Sequence, residues 1–169
     1  IPIRNNLLSP WLPSQGLCMI YSSRGLGKTW MALAIAHAVA SNDSFLSWET
    51  ESPEGVLYID GEMPMAVMQE RLSQIAASSS KEITAPFIII TPDAQEFGIP
   101  DLSKTDGQER INKLISDETK LIVMDNLSSL TRTGKENEGE SWLPVQEWAL
   151  RLRSRGKTVL FIHHSGKGG

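Results

Sequence analysis

The sequence predicts an α/β fold with a mainly parallel sheet of at least five strands, on two observations. Five compact apolar runs, at residues 16–21, 56–60, 86–91, 121–125 and 157–163, are separated by segments whose apolar residues recur at helical spacing. These runs are nearly continuous rather than alternating, so both of their faces must be covered, as in a parallel sheet between two helical layers. The second observation is that four of the runs end in polar residues of chemical use: Ser22 to Thr29, Asp60 with Glu62, Asp125, and His163 with His164. In a parallel sheet those ends gather on one edge, which is where ligands bind.

The chain of 169 residues suits one domain with a sizeable core. A hydrophobic content of 40% and a charged content of 21% belong to an ordinary globular protein. Its single cysteine, Cys18, lies inside the first apolar run, so neither a disulfide framework nor a cysteine metal site can form within the chain. The net charge of −4 does not advertise a nucleic-acid surface, and contact with DNA would need local loops or an assembled ring. With no leader and no long apolar run, no membrane association is expected and the cytosol is the expected compartment. The start at Ile1 and the end at Gly169 lead us to expect a single domain excised from a longer chain.

Taken in order, residues 2–15 form an irregular lead-in with Pro2, Pro10 and Pro13 around Trp11. The first strand then runs into Ser22-Ser23-Arg24-Gly25-Leu26-Gly27-Lys28-Thr29 and an Ala-rich helix from Trp30 to about residue 40. This is the pattern Gly-x-x-x-x-Gly-Lys-[Ser/Thr] in its required strand–turn–helix context, with Ser22 in place of the first glycine. Backbone N–H groups curl around an anion there, and the helix N-terminus adds a favourable dipole. Residues 45–48 are expected to fold back over the sheet. A helix over 64–77 carries Met65, Met68, Leu72 and Ile75 on its inner face, a core stripe rather than a binding surface. A third helix over 106–116 turns Ile111, Leu114 and Ile115 inward, and a fourth spans 141–155.

The residue types assign roles around a nucleotide. Ser22, Ser23, Arg24, Gly25, Leu26, Gly27, Lys28, Thr29 and Trp30 form the nucleotide-binding set, with Lys28 reaching the β- and γ-phosphates. Thr29 and Asp125 are the candidate Mg²⁺ ligands, because Asp125 ends an apolar strand where a carboxylate can hold a metal-bound water. Glu62, two residues beyond a strand, is the candidate for polarising the attacking water, with Asp60 as its competitor. His163 or His164 can donate a hydrogen bond to the γ-phosphate, and strand alternation allows only one of them to do so directly.

Four segments carry a family resemblance: Ser22 to Thr29, residues 58–64 (Tyr-Ile-Asp-Gly-Glu-Met-Pro), 121–126 (Leu-Ile-Val-Met-Asp-Asn) and 161–167 (Phe-Ile-His-His-Ser-Gly-Lys). In order and spacing the chain resembles the RecA-like ATPases over about residues 10–167. Within them it is most similar to the hexameric replicative helicases of the RepA and DnaB type, the RepA branch of AAA-type ATPases. The resemblance implies a three-layer P-loop NTPase (RecA-like) fold with the last strand inserted between those of residues 16–21 and 121–125. It also implies ATP and Mg²⁺ as ligands, Glu62 as the catalytic carboxylate, and hydrolysis at the subunit interfaces of a hexameric ring. An arginine finger would come from a neighbour, from a segment beyond His164. Single-stranded DNA would be met by loops 131–140 and after 165, although the first mixes Arg132 and Lys135 with Glu136, Glu138 and Glu140. Two other classes remain: a regulatory ATPase switch acting on a partner, and a small-molecule kinase, for which no arginine-bearing lid stands out.

Overall fold

The computed structural model describes residues 3–132 and 138–165. Its centre is an all-parallel sheet of five strands: β3 (Leu17–Ser22), β4 (Gly55–Asp60), β5 (Phe87–Ile90), β6 (Thr119–Asp125) and β7 (Thr158–His164). The order across the sheet is β3-β7-β6-β4-β5, with every neighbouring pair parallel. The last strand therefore sits between β3 and β6, and β4 lies beside β6, as the family resemblance implies. Registers align the functional ends: Ser22 opposite His164, and Asp60 opposite Asp125.

Helices cover both faces. α1 (Lys28–Ser41) and α2 (Met65–Ser78) pack on one side, where Leu33, Val39, Tyr58, Val123, Leu160 and Ile162 form a buried cluster. α3 (Thr105–Asn112) and α5 (Glu138–Ser154) cover the other, around Ile59, Met124, Trp148, Leu152 and Phe161. Successive strand residues alternate between the two clusters, so the central strands are buried throughout and carry no polar face. This is the α/β class the apolar runs predicted.

Local details differ from the expectation. The lead-in is an antiparallel hairpin, β1 (Asn6–Leu8) and β2 (Leu12–Pro13), whose Leu7, Leu8 and Leu12 enter the α1-side core. Its strands are too short to show periodicity, and Leu7 and Leu8 are buried side by side. Backbone bonds between Ser9 and Glu49 tie the hairpin to the following segment, where Phe45 and Trp48 pack as expected and Trp11 meets Trp48 edge-on. On α2 only Met68 is fully buried, so the methionine stripe covers the sheet edge loosely. α3 stops at Asn112, leaving Leu114 exposed rather than turned inward. A short helix, α4 (Leu127–Leu130), follows β6 directly. Among the described residues no helix is long and apolar enough to cross a membrane.

Candidate functional site

The site begins where β3 gives way to α1. Gly25 and Gly27 adopt φ of +80° and +83°, a left-handed region that costs other residues about 1 kcal/mol or more. A Cβ at either would meet nothing within 4 Å, so the requirement is conformational rather than steric. Gly27 caps α1 in this left-handed conformation. Lys28, only 6% exposed, folds over the loop. Its Nζ donates to the Ser22 carbonyl at 2.8 Å, to Ser22 Oγ at 3.1 Å and to the Ser23 carbonyl. The serine in place of the first glycine thus supplies an extra acceptor for the lysine. Burial pushes the Lys28 pKa down, opposed by the charge of Asp125 and reinforced by that of Arg24.

Trp30, two residues beyond Lys28, is 38% exposed, with the Arg71 guanidinium of α2 lying 5.4 Å above its ring. A cavity of about 750 Å³ opens from Ser22, Gly27 and Lys28 and continues along α1 past Trp30 and Met31 to His37 and Phe45.

Two buried carboxylates lie side by side at the ends of β4 and β6. Asp125, 3% exposed, accepts a hydrogen bond from the Tyr58 hydroxyl on Oδ2 at 2.7 Å, with the Thr29 hydroxyl nearby. Burial raises its pKa, and the Tyr58 and Thr29 hydroxyls oppose the rise. The Asp125–Asn126 peptide is cis, and Asn126 caps α4 by accepting from the Ser129 N–H at 3.1 Å. Asp60 spends its Oδ1 on the turn that follows, accepting from the N–H groups of Glu62 at 2.8 Å and Met63 at 2.5 Å. Burial pushes its pKa up to about 6, with the two N–H groups opposing and the charges of Asp125 and Glu62 adding.

Glu62 is the exposed member of the group. Its charge acts on Asp60, Asp125 and His164, so it stands within the cluster without being tied into the turn. Gly61 makes that placement possible. A Cβ there would lie 2.2 Å from Ser129 Oγ, and the Gly61 N–H donates to the Asp125 carbonyl at 2.8 Å. The backbone carrying Glu62 is thereby drawn down onto α4.

The histidine pair separates by strand alternation. His164 continues the face of Leu160 and Ile162, toward α1, and its pKa is lowered by burial and then by Lys28, with Glu62 opposing. His163 continues the face of Val159 and Phe161 and packs beside the Tyr21 ring at 5.5 Å. Among the described residues, the Nδ1 of each is buried without a hydrogen-bond partner.

A family model described as an AAA domain matches residues 1–169. The chain belongs to the AAA domain family. With the observed sheet, this makes it a P-loop ATPase domain of RecA-like α/β class. A comparison with curated proteins gave no match.

For this AAA domain the structure brings together Ser22, Lys28, Thr29, Glu62, Asp125 and His164, and sets His163 on the opposite face. Ser23, Arg24, Gly25, Leu26 and Gly27 form the exposed crest of the loop. Residues 133–137 and 166–169, most of the two loops expected at DNA, lie outside the described residues. Of the described part of the first loop, Arg132 donates to the Ile99 carbonyl at 2.9 Å. Sequence reasoning missed Tyr58, Arg71 and the Gly61–Ser129 contact. Tyr58 left one usable signal: a phenol in an otherwise aliphatic buried strand needs a partner for its hydroxyl.

Proposed function

We propose that this AAA domain binds ATP with Mg²⁺ and hydrolyses it as the motor of a ring-forming DNA helicase of replicative type. The observation that supports this most is the convergence of Lys28, Thr29, Asp125, Glu62 and His164 around the carboxyl ends of adjacent strands. Thr29 and Asp125 fit a magnesium ion that keeps waters and phosphate oxygens in its shell. Among the described residues no group of three or more His, Cys, Asp or Glu side chains could hold a metal alone, which suits that ion better than a protein cage. Bound there, Mg²⁺ would supply positive charge against the phosphates.

The protein's own part is positioning. The glycine-bent loop and the start of α1 hold the phosphates. Lys28 exchanges its hold on the Ser22 and Ser23 oxygens for phosphate oxygens. Glu62 orients a water in line with the γ-phosphorus and takes its proton as the bond to the ADP oxygen breaks. His164, beside Lys28 and Glu62, is placed to hydrogen-bond the γ-phosphate and to register its departure, with His163 behind it. Ring assembly would add the arginine finger and the single-stranded DNA path.

The test is ATP turnover of the full chain with and without single-stranded DNA. Lys28→Ala is expected to lower nucleotide affinity at least about 100-fold, the loss of charge-assisted contacts. Glu62→Gln is expected to keep ATP binding while slowing turnover about 100-fold or more. Robust turnover indifferent to DNA would sink the motor, whereas slow turnover with nucleotide-dependent partner affinity would favour a regulatory switch, the reading that the net charge of −4 favours.

A further inference from the structure

Tyr58 lies in the middle of β4, the strand between β6 and β5, and none of its surface is exposed. Its ring packs within the α1-side apolar cluster, where a phenylalanine would serve equally for burial. The hydroxyl serves a different purpose. It reaches along the sheet from the register of Val123 to that of Asp125 and donates to Oδ2 of that carboxylate at 2.7 Å. Period-two alternation puts Tyr58 and Asp60 on the same face of β4, so the phenol lies beneath both carboxylates. Removing the hydroxyl from so dry a place would leave Asp125 with one donor fewer and nothing to replace it.

We propose that Tyr58 is a positioning residue for metal-dependent nucleotide binding. It pins one oxygen of Asp125, and so sets the direction in which the other faces Thr29 and the phosphates. The Thr29 hydroxyl lies near the same carboxylate, but it is the one that must turn toward a metal ion. Tyr58 is then the hydrogen bond that stays. The inference rests on the reading of Asp125 as a magnesium-facing group, and the experiment separates the two.

Tyr58→Phe removes the hydroxyl and leaves the ring. A fluorescent ATP analogue is titrated against the full chain, first in EDTA and then at fixed nucleotide with rising Mg²⁺, alongside Asp125→Asn and a melting curve for each variant. The expected result for Tyr58→Phe is unchanged binding in EDTA and an Mg²⁺ midpoint raised about tenfold, the loss of one hydrogen bond to a charged group. The double variant should be no worse than Asp125→Asn alone, because both substitutions break one contact. A purely structural tyrosine would lower the melting temperature and leave the Mg²⁺ midpoint where it was, which overturns the proposal. If Asp125→Asn moves the midpoint and Tyr58→Phe does not, the role of Tyr58 falls alone. If neither moves it, the assignment of Asp125 falls with it. Should Tyr58→Phe fail to fold, Tyr58→His, which keeps a donor near the carboxylate, must bind Mg²⁺ more tightly than Tyr58→Leu, and equal midpoints reject the role.

Discussion

Asp60 shows burial and hydrogen bonding pulling against each other on one carboxyl group. A rise in its pKa from 3.8 to about 6 corresponds to roughly 3 kcal/mol, because ionising a carboxyl that is 1% exposed is costly. The folded state therefore holds this proton more tightly than the unfolded chain does. The associated stability is fully present below about pH 4 and is lost as pH rises through 6. Asparagine keeps an acceptor for the Glu62 and Met63 N–H groups without the charge. Asp60→Asn should raise the melting temperature of the nucleotide-free protein at pH 8, by up to about 3 kcal/mol in stability, with the gap closing toward pH 4. A gap that does not change with pH would mean that Asp60 is not the titrating group. The same residue illustrates what the linear sequence left open. Asp60 and Glu62 compete on paper for one catalytic role. Folding sets them apart, directing two backbone N–H groups at Asp60 and leaving Glu62 exposed.

Among the elements, α5 is tied to the end of α3 through Trp148. Trp148 is 2% exposed, and its indole N–H donates to Asn112 Oδ1 at 2.9 Å, at the last residue of α3. Gln108, one turn earlier, donates to the Leu102 and Pro144 carbonyls and so ties the loop before α3 to α5 as well. Asn112→Ala would leave the indole N–H unpaired in a dry contact and should cost about 1–3 kcal/mol, read as a lower urea midpoint with an unchanged slope. A midpoint within error of wild type would show that water reaches the indole. The long elements were legible because apolar spacing marks them, from the Ala-rich α1 to the apolar β6. The hairpin β1–β2 and the short α4 were not. Two or three residues hold no period, and both are stabilised by tertiary contacts, the hairpin by the core under α1 and α4 by the Asn126 cap. α3 shows the opposite error: Leu114 continues its apolar spacing, although the helix has already ended at Asn112.

For the molecule as a whole, both apolar clusters lean on one sheet, whose central strands contribute alternate residues to each. Neither layer can lose its partner without exposing the other's floor, so the chain should unfold in one step. Trp11 and Trp48 report on the α1 side, and Trp142 and Trp148 on the α5 side. Variants keeping tryptophans on only one side should therefore share a single urea midpoint with far-UV circular dichroism. Two separate midpoints would divide the chain into independently folding parts. Strand identity, parallel pairing and the phosphate loop were all settled locally, because continuous apolar runs and a Gly-x-Gly-Lys-Thr turn impose their geometry within a few residues. Which groups meet around the phosphate was not local. Strand order brings Ser22 beside His164 and Asp60 beside Asp125 across long separations in the chain. Alternation then divides His164 from His163, and Tyr58 becomes the partner of Asp125 only because β4 and β6 lie side by side with Tyr58 two residues short of Asp60.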